Sequence, residues 1–151
     1  MKKLPLSIKE VLKGKSVIVG IGNRLRGDDA FGPVMIDRLR GKTKRDLIDA
    51  GTAPESYLGP IIKKNPETII IMDVADMGKA AGELGILDGE DILKVGFSTH
   101  DSSPKVFMDF LKETTGARIV MIAAQPKTLE FGENPSREVK ESMDKLEEIL
   151  L

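Results

Sequence analysis

The sequence predicts an α/β fold: a single domain over residues 1–151, arranged as three αβα layers around a mostly parallel, twisted sheet. Three observations point to it. Apolar runs bounded by turn residues recur at Ser16 to Ile21, Asp46 to Asp49, Thr68 to Asp73 and Arg118 to Ala124, with segments of helical spacing between them. The run Ile69-Ile70-Ile71-Met72 is apolar at every position, as strands covered by helices on both faces are. A chain of 151 residues holds one core of ordinary size and is too short for two.

The elements follow in order. A first helix is expected to begin near Asp28 or Asp29, with Pro33 in its first turn, Phe31, Val34, Met35 and Leu39 on one face, and Gly41 as its stop. A second follows Pro54. The segment 82–87 reads as a short edge strand and Glu90 to Leu93 as a helical turn. A third helix opens at Ser102 or Ser103 with Pro104 at its first position and Phe107, Phe110 and Leu111 inward. The last runs from about Pro135 and buries Val139, Met143, Leu146 and Leu150. No repeat, low-complexity tract or Gly/Ser linker suggests a second module.

Composition closes off several function classes. Lys and Arg number 23 against 24 Asp and Glu, a net charge of −1, so no broad basic face for nucleic acid is expected. The absence of cysteine excludes a disulfide framework, a thiolate nucleophile and any Cys-ligated metal within this chain. Any metal must be held by oxygen and imidazole. Met1 to Lys15 lacks a continuous apolar leader core, and no stretch approaches the roughly 18 to 20 apolar residues that span a bilayer. The expectation is a cytoplasmic protein with no membrane insertion.

Several motif-like strings fail on inspection. Gly20-Ile21-Gly22 after a strand suggests dinucleotide binding, but Leu25 stands where the third glycine of G-x-G-x-x-G is needed. Two glycines and Asn23 at a strand end are sufficiently explained by a turn of unusual φ. Gly14-Lys15-Ser16 and Gly41-Lys42-Thr43 imitate the end of a P-loop, yet Lys9 and Ile36 occupy the earlier glycine positions. Ser98, Ser102 and Ser103 lie near His100 and Asp101, but no G-x-S-x-G elbow accompanies them, and a serine there can cap a helix.

One constellation survives. Asp28 and Asp29 lie in the loop leaving the first strand, Asp73 ends another apolar strand, and His100, the sole histidine, follows Val95-Gly96-Phe97 in a polar loop. Loops at the carboxyl ends of parallel strands line a common crevice, so two carboxylates and the imidazole can meet there. Such a set suits a divalent transition ion and leaves positions open for water or substrate. Each residue also has an ordinary role open to it: Asp28 or Asp29 as a helix cap, Asp73 as a turn residue, His100 as a hydrogen-bonded loop histidine.

The blocks Gly20-Ile-Gly-Asn23 with Asp28-Asp29-Ala30-Phe31-Gly32-Pro33, then Asp49-Ala-Gly-Thr-Ala-Pro54-Glu55, Ile71-Met-Asp73-Val-Ala-Asp76-Met77-Gly78, Ser98-Thr99-His100 and Gln125-Pro126 resemble the hydrogenase maturation endopeptidases. They stand in that family's order over about residues 16 to 135, and the specificity lies in the set. The resemblance implies that Asp29, Asp73 and His100 are the metal ligands, with Asp28 a neighbour. Ala30 stands where the family commonly has glycine, which bears on the path of the loop.

The resemblance further implies an aspartyl-type, metal-directed endopeptidase with Asp29 and Asp73 as catalytic candidates. Its partner would be the nickel-loaded large-subunit precursor of a [NiFe] hydrogenase, from which one cut releases a C-terminal extension. Nickel would be supplied by or shared with the substrate, and another divalent metal can be expected in the isolated protein. Asp49, ending the second strand, and Glu55, opening the next helix, are candidates for the surrounding layer. The alternative is a non-catalytic nickel-binding or checkpoint protein that docks on the same precursor.

Overall fold

The computed structural model describes residues 8–97 and 104–151. Five strands, β1 (Ser16–Ile21), β2 (Asp46–Gly51), β3 (Thr68–Val74), β4 (Leu84–Leu87) and β5 (Arg118–Ala124), form one sheet in the order β2-β1-β3-β5-β4. β2, β1, β3 and β5 run parallel, and β4 closes the edge antiparallel to β5. The expected three-layer, mostly parallel α/β fold is therefore present. Among the described residues five α-helices accompany it: α1 (Ile8–Val11), α2 (Phe31–Leu39), α3 (Leu58–Lys63), α4 (Lys105–Thr115) and α5 (Arg137–Leu150). Among the described residues no helix is long and apolar enough to cross a membrane.

Strand periodicity sorts the side chains into two cores. Ile18, Ile70, Met72, Val120 and Ile122 point to one face, where Phe31, Met35 and Leu39 of α2 and Val139, Met143 and Leu146 of α5 cover them. Val17, Val19, Ile69, Ile71 and Met121 point to the other, against Ile61 of α3 and Phe107, Met108 and Leu111 of α4. The central strands are buried on both faces, which is why they read as continuous apolar runs.

Most boundaries agree with the sequence, and the differences have physical causes. β2 extends to Gly51, whose carbonyl accepts from Gly22 N–H at 2.9 Å across a register shift at Gly20/Ile21. β3 continues one residue past Asp73, with Val74 paired to Ala124. A 3₁₀ turn, Gly27–Ala30, precedes α2, and neither Asp28 nor Asp29 caps the helix. In α4 the buried stripe is Phe107, Met108 and Leu111, whereas Phe110 is 48% exposed. At about 100° per residue that stripe turns Phe110 away, which corrects its expected inward position. Ser102 and Ser103, the expected start of this helix, lie outside the described residues.

The approach of α2 to the sheet depends on two glycines that lack side chains at the contact. A Cβ on Gly32 would stand 2.4 Å from Ile21 O and 2.5 Å from Met72 O, and one on Gly20 would stand 2.5 Å from Gly32 O. Both obstacles are backbone, so neither can yield cheaply. Gly32→Ala is expected to lower unfolding free energy by about 3 kcal/mol in denaturant titration. Gly89→Ala, where a Cβ would meet only Lys105 Nζ at 4.0 Å, is expected to stay within about 1 kcal/mol.

Candidate active site

The strand order puts the loops after β1 and β3 at the point where connections diverge: β1 leads out to β2 on one side, while β3 lies on the other. Open α/β sheets place their ligand crevice outside the carboxyl ends of such strands. Asp29 belongs to the loop after β1, and Asp73 is the penultimate residue of β3. Both are buried.

The path of the first loop follows from close backbone contacts. Gly22 has φ +148, and a Cβ there would collide with Asp29 O at 1.9 Å. Asn23 N–H donates to Asp29 Oδ2 at 3.0 Å, and Asn23 Oδ1 accepts Leu25 N–H at 2.8 Å. The two ends of the loop are thus pinned together through the Asp29 carboxylate itself. Arg24 braces its outer side, reaching Asp37 Oδ2 of α2 at 2.6 Å and Asp49 Oδ2 of β2 at 2.7 Å. The Arg24 guanidinium holds the Asp37 carboxyl below its ordinary value.

Asp28 turns the opposite way. It is fully buried, and its carboxylate accepts Lys127 N–H (2.8 Å), Thr128 N–H (3.1 Å), Ser136 N–H (2.6 Å) and the Ser136 hydroxyl. Its own N–H donates to Thr128 O at 2.8 Å. The first acid of the Asp-Asp pair therefore ties the loop to the segment between β5 and α5, which leaves the second acid for the crevice. Ser136 in turn caps α5 by accepting Val139 N–H.

Asp73 emerges on the α3/α4 side of β3, opposite the small Ala123 of β5. Its Oδ1 accepts Val74 N–H at 2.8 Å. Burial first, and the neighbouring Asp29 charge second, push the Asp73 carboxyl well above the ordinary carboxylate range, against the opposing pull of the Val74 N–H. Two adjacent buried carboxylates that repel each other can share a proton or a cation. Their hard oxygen donors fit a divalent ion. Among the described residues no group of three His, Cys, Asp or Glu comes together as a metal cage. His100, the expected third ligand, lies outside the described residues.

Gln125 shapes the wall beyond Asp73. Its Oε1 accepts Met77 N–H at 2.7 Å and Lys79 N–H at 3.2 Å, while Nε2 donates to Asp76 Oδ1 at 3.2 Å. Asp76 also pairs through its backbone with Gly96, N–H to O at 2.8 and 3.0 Å, so the strand end of β3 and the segment 95–97 run side by side. Of the surrounding candidates, Asp49 is engaged by Arg24 and by Gly51 N–H at 3.1 Å, and Glu55 is exposed in the 3₁₀ turn Pro54–Tyr57. The sequence reading missed the positioning work of Arg24, Ser136 and Gln125. Gln125-Pro126 was the one available signal.

These features define a doubly wound α/β protein with two buried carboxylates at its switch point. The chain belongs to the hydrogenase maturation protease family, whose HycI family model matches residues 35–151. The hydrogenase 3 maturation protease of Escherichia coli K12 is 30% identical over 131 residues, 85% of this chain and 83% of that protein. The crystal structure of a [NiFe] hydrogenase maturation protease HycI from Thermococcus kodakarensis KOD1 is 36% identical, with 95% of each chain covered and a TM-score of 0.85. The solution structure of an endopeptidase HycI from Escherichia coli is 29% identical, covering 90% of this chain and 88% of that one, with a TM-score of 0.83. The family resemblance carried by the sequence blocks is borne out, and the chain is an endopeptidase of that family.

Two outcomes test the site's physical description. Asp28→Ala is expected to cost about 3 kcal/mol in unfolding free energy, because it orphans several buried donors at once. Asp73 has a folded pKa above its unfolded one, so its contribution to stability is full below the ordinary carboxylate value of about 4 and is lost as pH rises through the folded value. Metal-free Asp73→Asn should lack that decline. Denaturant titrations across about pH 4 to 8 should show the variant more stable than the wild type at neutral pH, the two converging in acid.

Proposed function

We propose that the chain removes the C-terminal extension of the nickel-loaded large-subunit precursor of a [NiFe] hydrogenase, in the cytoplasm, with bound nickel as the recognition signal. The observation that carries this reading is the burial of Asp29, in the loop after β1, and Asp73, near the end of β3, at the switch point of the sheet, near enough for the Asp29 charge to raise the Asp73 carboxyl. The Asp76–Gly96 bridge adds support, since Gly96 stands four residues before His100 in sequence and is held beside the loop that leaves Asp73. The Thermococcus relative of similar fold is named as a [NiFe] hydrogenase maturation protease.

In this reading Asp29 and Asp73 offer carboxylate oxygens, and His100 an imidazole nitrogen, to the nickel of the substrate. That contact holds the precursor so that its scissile carbonyl lies beside the carboxylates. One of the two, Asp29 or Asp73, accepts a proton from the attacking water as the new C–O bond forms. The C–N bond then breaks and the proton passes to the leaving amine. The Asn23 N–H and the two-ended pinning of the loop keep Asp29 in place, and the β3 ladder does the same for Asp73.

The test is the mass of nickel-loaded and nickel-free precursor before and after incubation with the protein. Loss of the C-terminal extension from the nickel-loaded form alone is the expected result. An unchanged mass with a stable complex would instead identify a non-catalytic checkpoint protein. Asp29→Asn, which keeps an oxygen for Asn23 N–H, and His100→Ala should each reduce cleavage by about 100-fold or more, with thermal unfolding of the Asn variant close to wild type. Cleavage at the normal rate by His100→Ala would remove the histidine from the site.

A further inference from the structure

Two large apolar side chains stand exposed on the loops that Asp28 joins: Leu25 at 59% and Phe131 at 73% of full exposure. They belong to one frame. Gly132 N–H donates to Leu25 O at 2.7 Å, and Gly27 N–H donates to Glu133 O at 3.0 Å, so the two loops are tied at Leu25 and immediately after Phe131. Phe131 occupies the turn 130–133, closed by Glu133 N–H to Glu130 O at 3.2 Å, with Gly132 at φ +89 supplying the left-handed position such a turn requires. Leu25 is fixed from the other side by Asn23 Oδ1, and Asn23 is fixed by Asp29.

We propose that Leu25 and Phe131 dock the polypeptide substrate through an apolar patch adjoining its cleavage segment, and so determine which protein is cut; this rests on the precursor-processing reading above. An endopeptidase must hold a polypeptide across the surface next to its reacting groups, and here that surface is continuous with the Asp29 loop. Of the flanking charges, Arg24 is paired with Asp37 and Asp49 and Lys127 with Glu138, which leaves Arg26 against Glu130 and Glu133, a remainder of one negative charge. The attraction on offer is therefore chiefly apolar. Because the frame is hydrogen-bonded before substrate arrives, little ordering is needed on binding, and large apolar anchors held in this way carry a disproportionate share of docking energy.

The experiment compares Leu25→Ser/Phe131→Ser with wild type on the nickel-loaded precursor of a [NiFe]-hydrogenase large subunit. The expected result is a KM raised about tenfold or more, with kcat changed less than about threefold. Leu151→Ser serves as the control. It removes an equally exposed apolar side chain from a cavity beside Ser16 and Asp46, where β1 and β2 begin, and KM should stay within about twofold of wild type. Unchanged KM in the double variant, an equal rise in the control, or a loss confined to kcat overturns the proposal. Denaturant titration confirms that the double variant folds. If wild type leaves the nickel-loaded precursor uncut, the processing reading falls by itself. The docking pair is then judged by Kd for that same precursor: about tenfold weaker binding by the double variant upholds it, and equal binding overturns it.

Discussion

The buried carboxylate of Asp28 is the interaction on which the site depends. Four donors from the segment between β5 and α5 converge on it, two of them from Ser136, which also caps α5. A carboxylate without water around it is tolerable only when so fully hydrogen-bonded. The loop after β1 therefore cannot adopt its path unless the far end of the chain is already in place. Asp29 gains its position from this arrangement: with Asp28 committed inward and Gly22 allowing the backbones to touch, the next residue is directed to the crevice at the strand ends. Two identical side chains, adjacent in sequence, thus take opposite directions, one into the β5–α5 segment and one toward the crevice.

Much of the fold was legible because the central strands are covered on both faces. Burial on two sides makes the interior positions of β1 and β5 apolar, so the runs that open at Ser16 and at the exposed Arg118 could be bounded from the sequence alone. The amphipathic stripe of α5 was equally plain, and its four expected core residues are all buried. Phe110 was not legible in the same way. A helix containing Phe107, Met108, Phe110 and Leu111 has two candidate apolar arcs, and only the shape of the opposing sheet face selects one. The capping roles open to Asp28 and Asp29 were also not taken up, since the stronger claim on Asp28 comes from residues about a hundred positions away.

At the site, the sequence named the acids but not what orients them. Asp73 was visible because a charged residue ending a buried strand requires a reason. Arg24 carried no such mark. Its value lies in reaching Asp37 and Asp49 together, which binds the loop after β1 to the helix and strand that follow. Gln125 is similar: one amide satisfies two backbone donors and Asp76, and so fixes the exit from β3. Long-range polar contacts of this kind leave no periodicity to read. The family blocks compensated, because they preserve residues whose partners lie elsewhere in the chain.

The loop after β1 is fastened at its base, where Asn23 meets Asp29, and its crest is hydrogen-bonded too, so that the Leu25 side chain stands out from a held backbone. That division separates two kinds of tolerance. The exposed side chain at the crest can be exchanged without displacing the carboxylate below, in the way a tool bit is changed without retooling the chuck. A scaffold built like this can be redirected toward a new client protein by altering a few exposed positions while its reactive groups stay where they were.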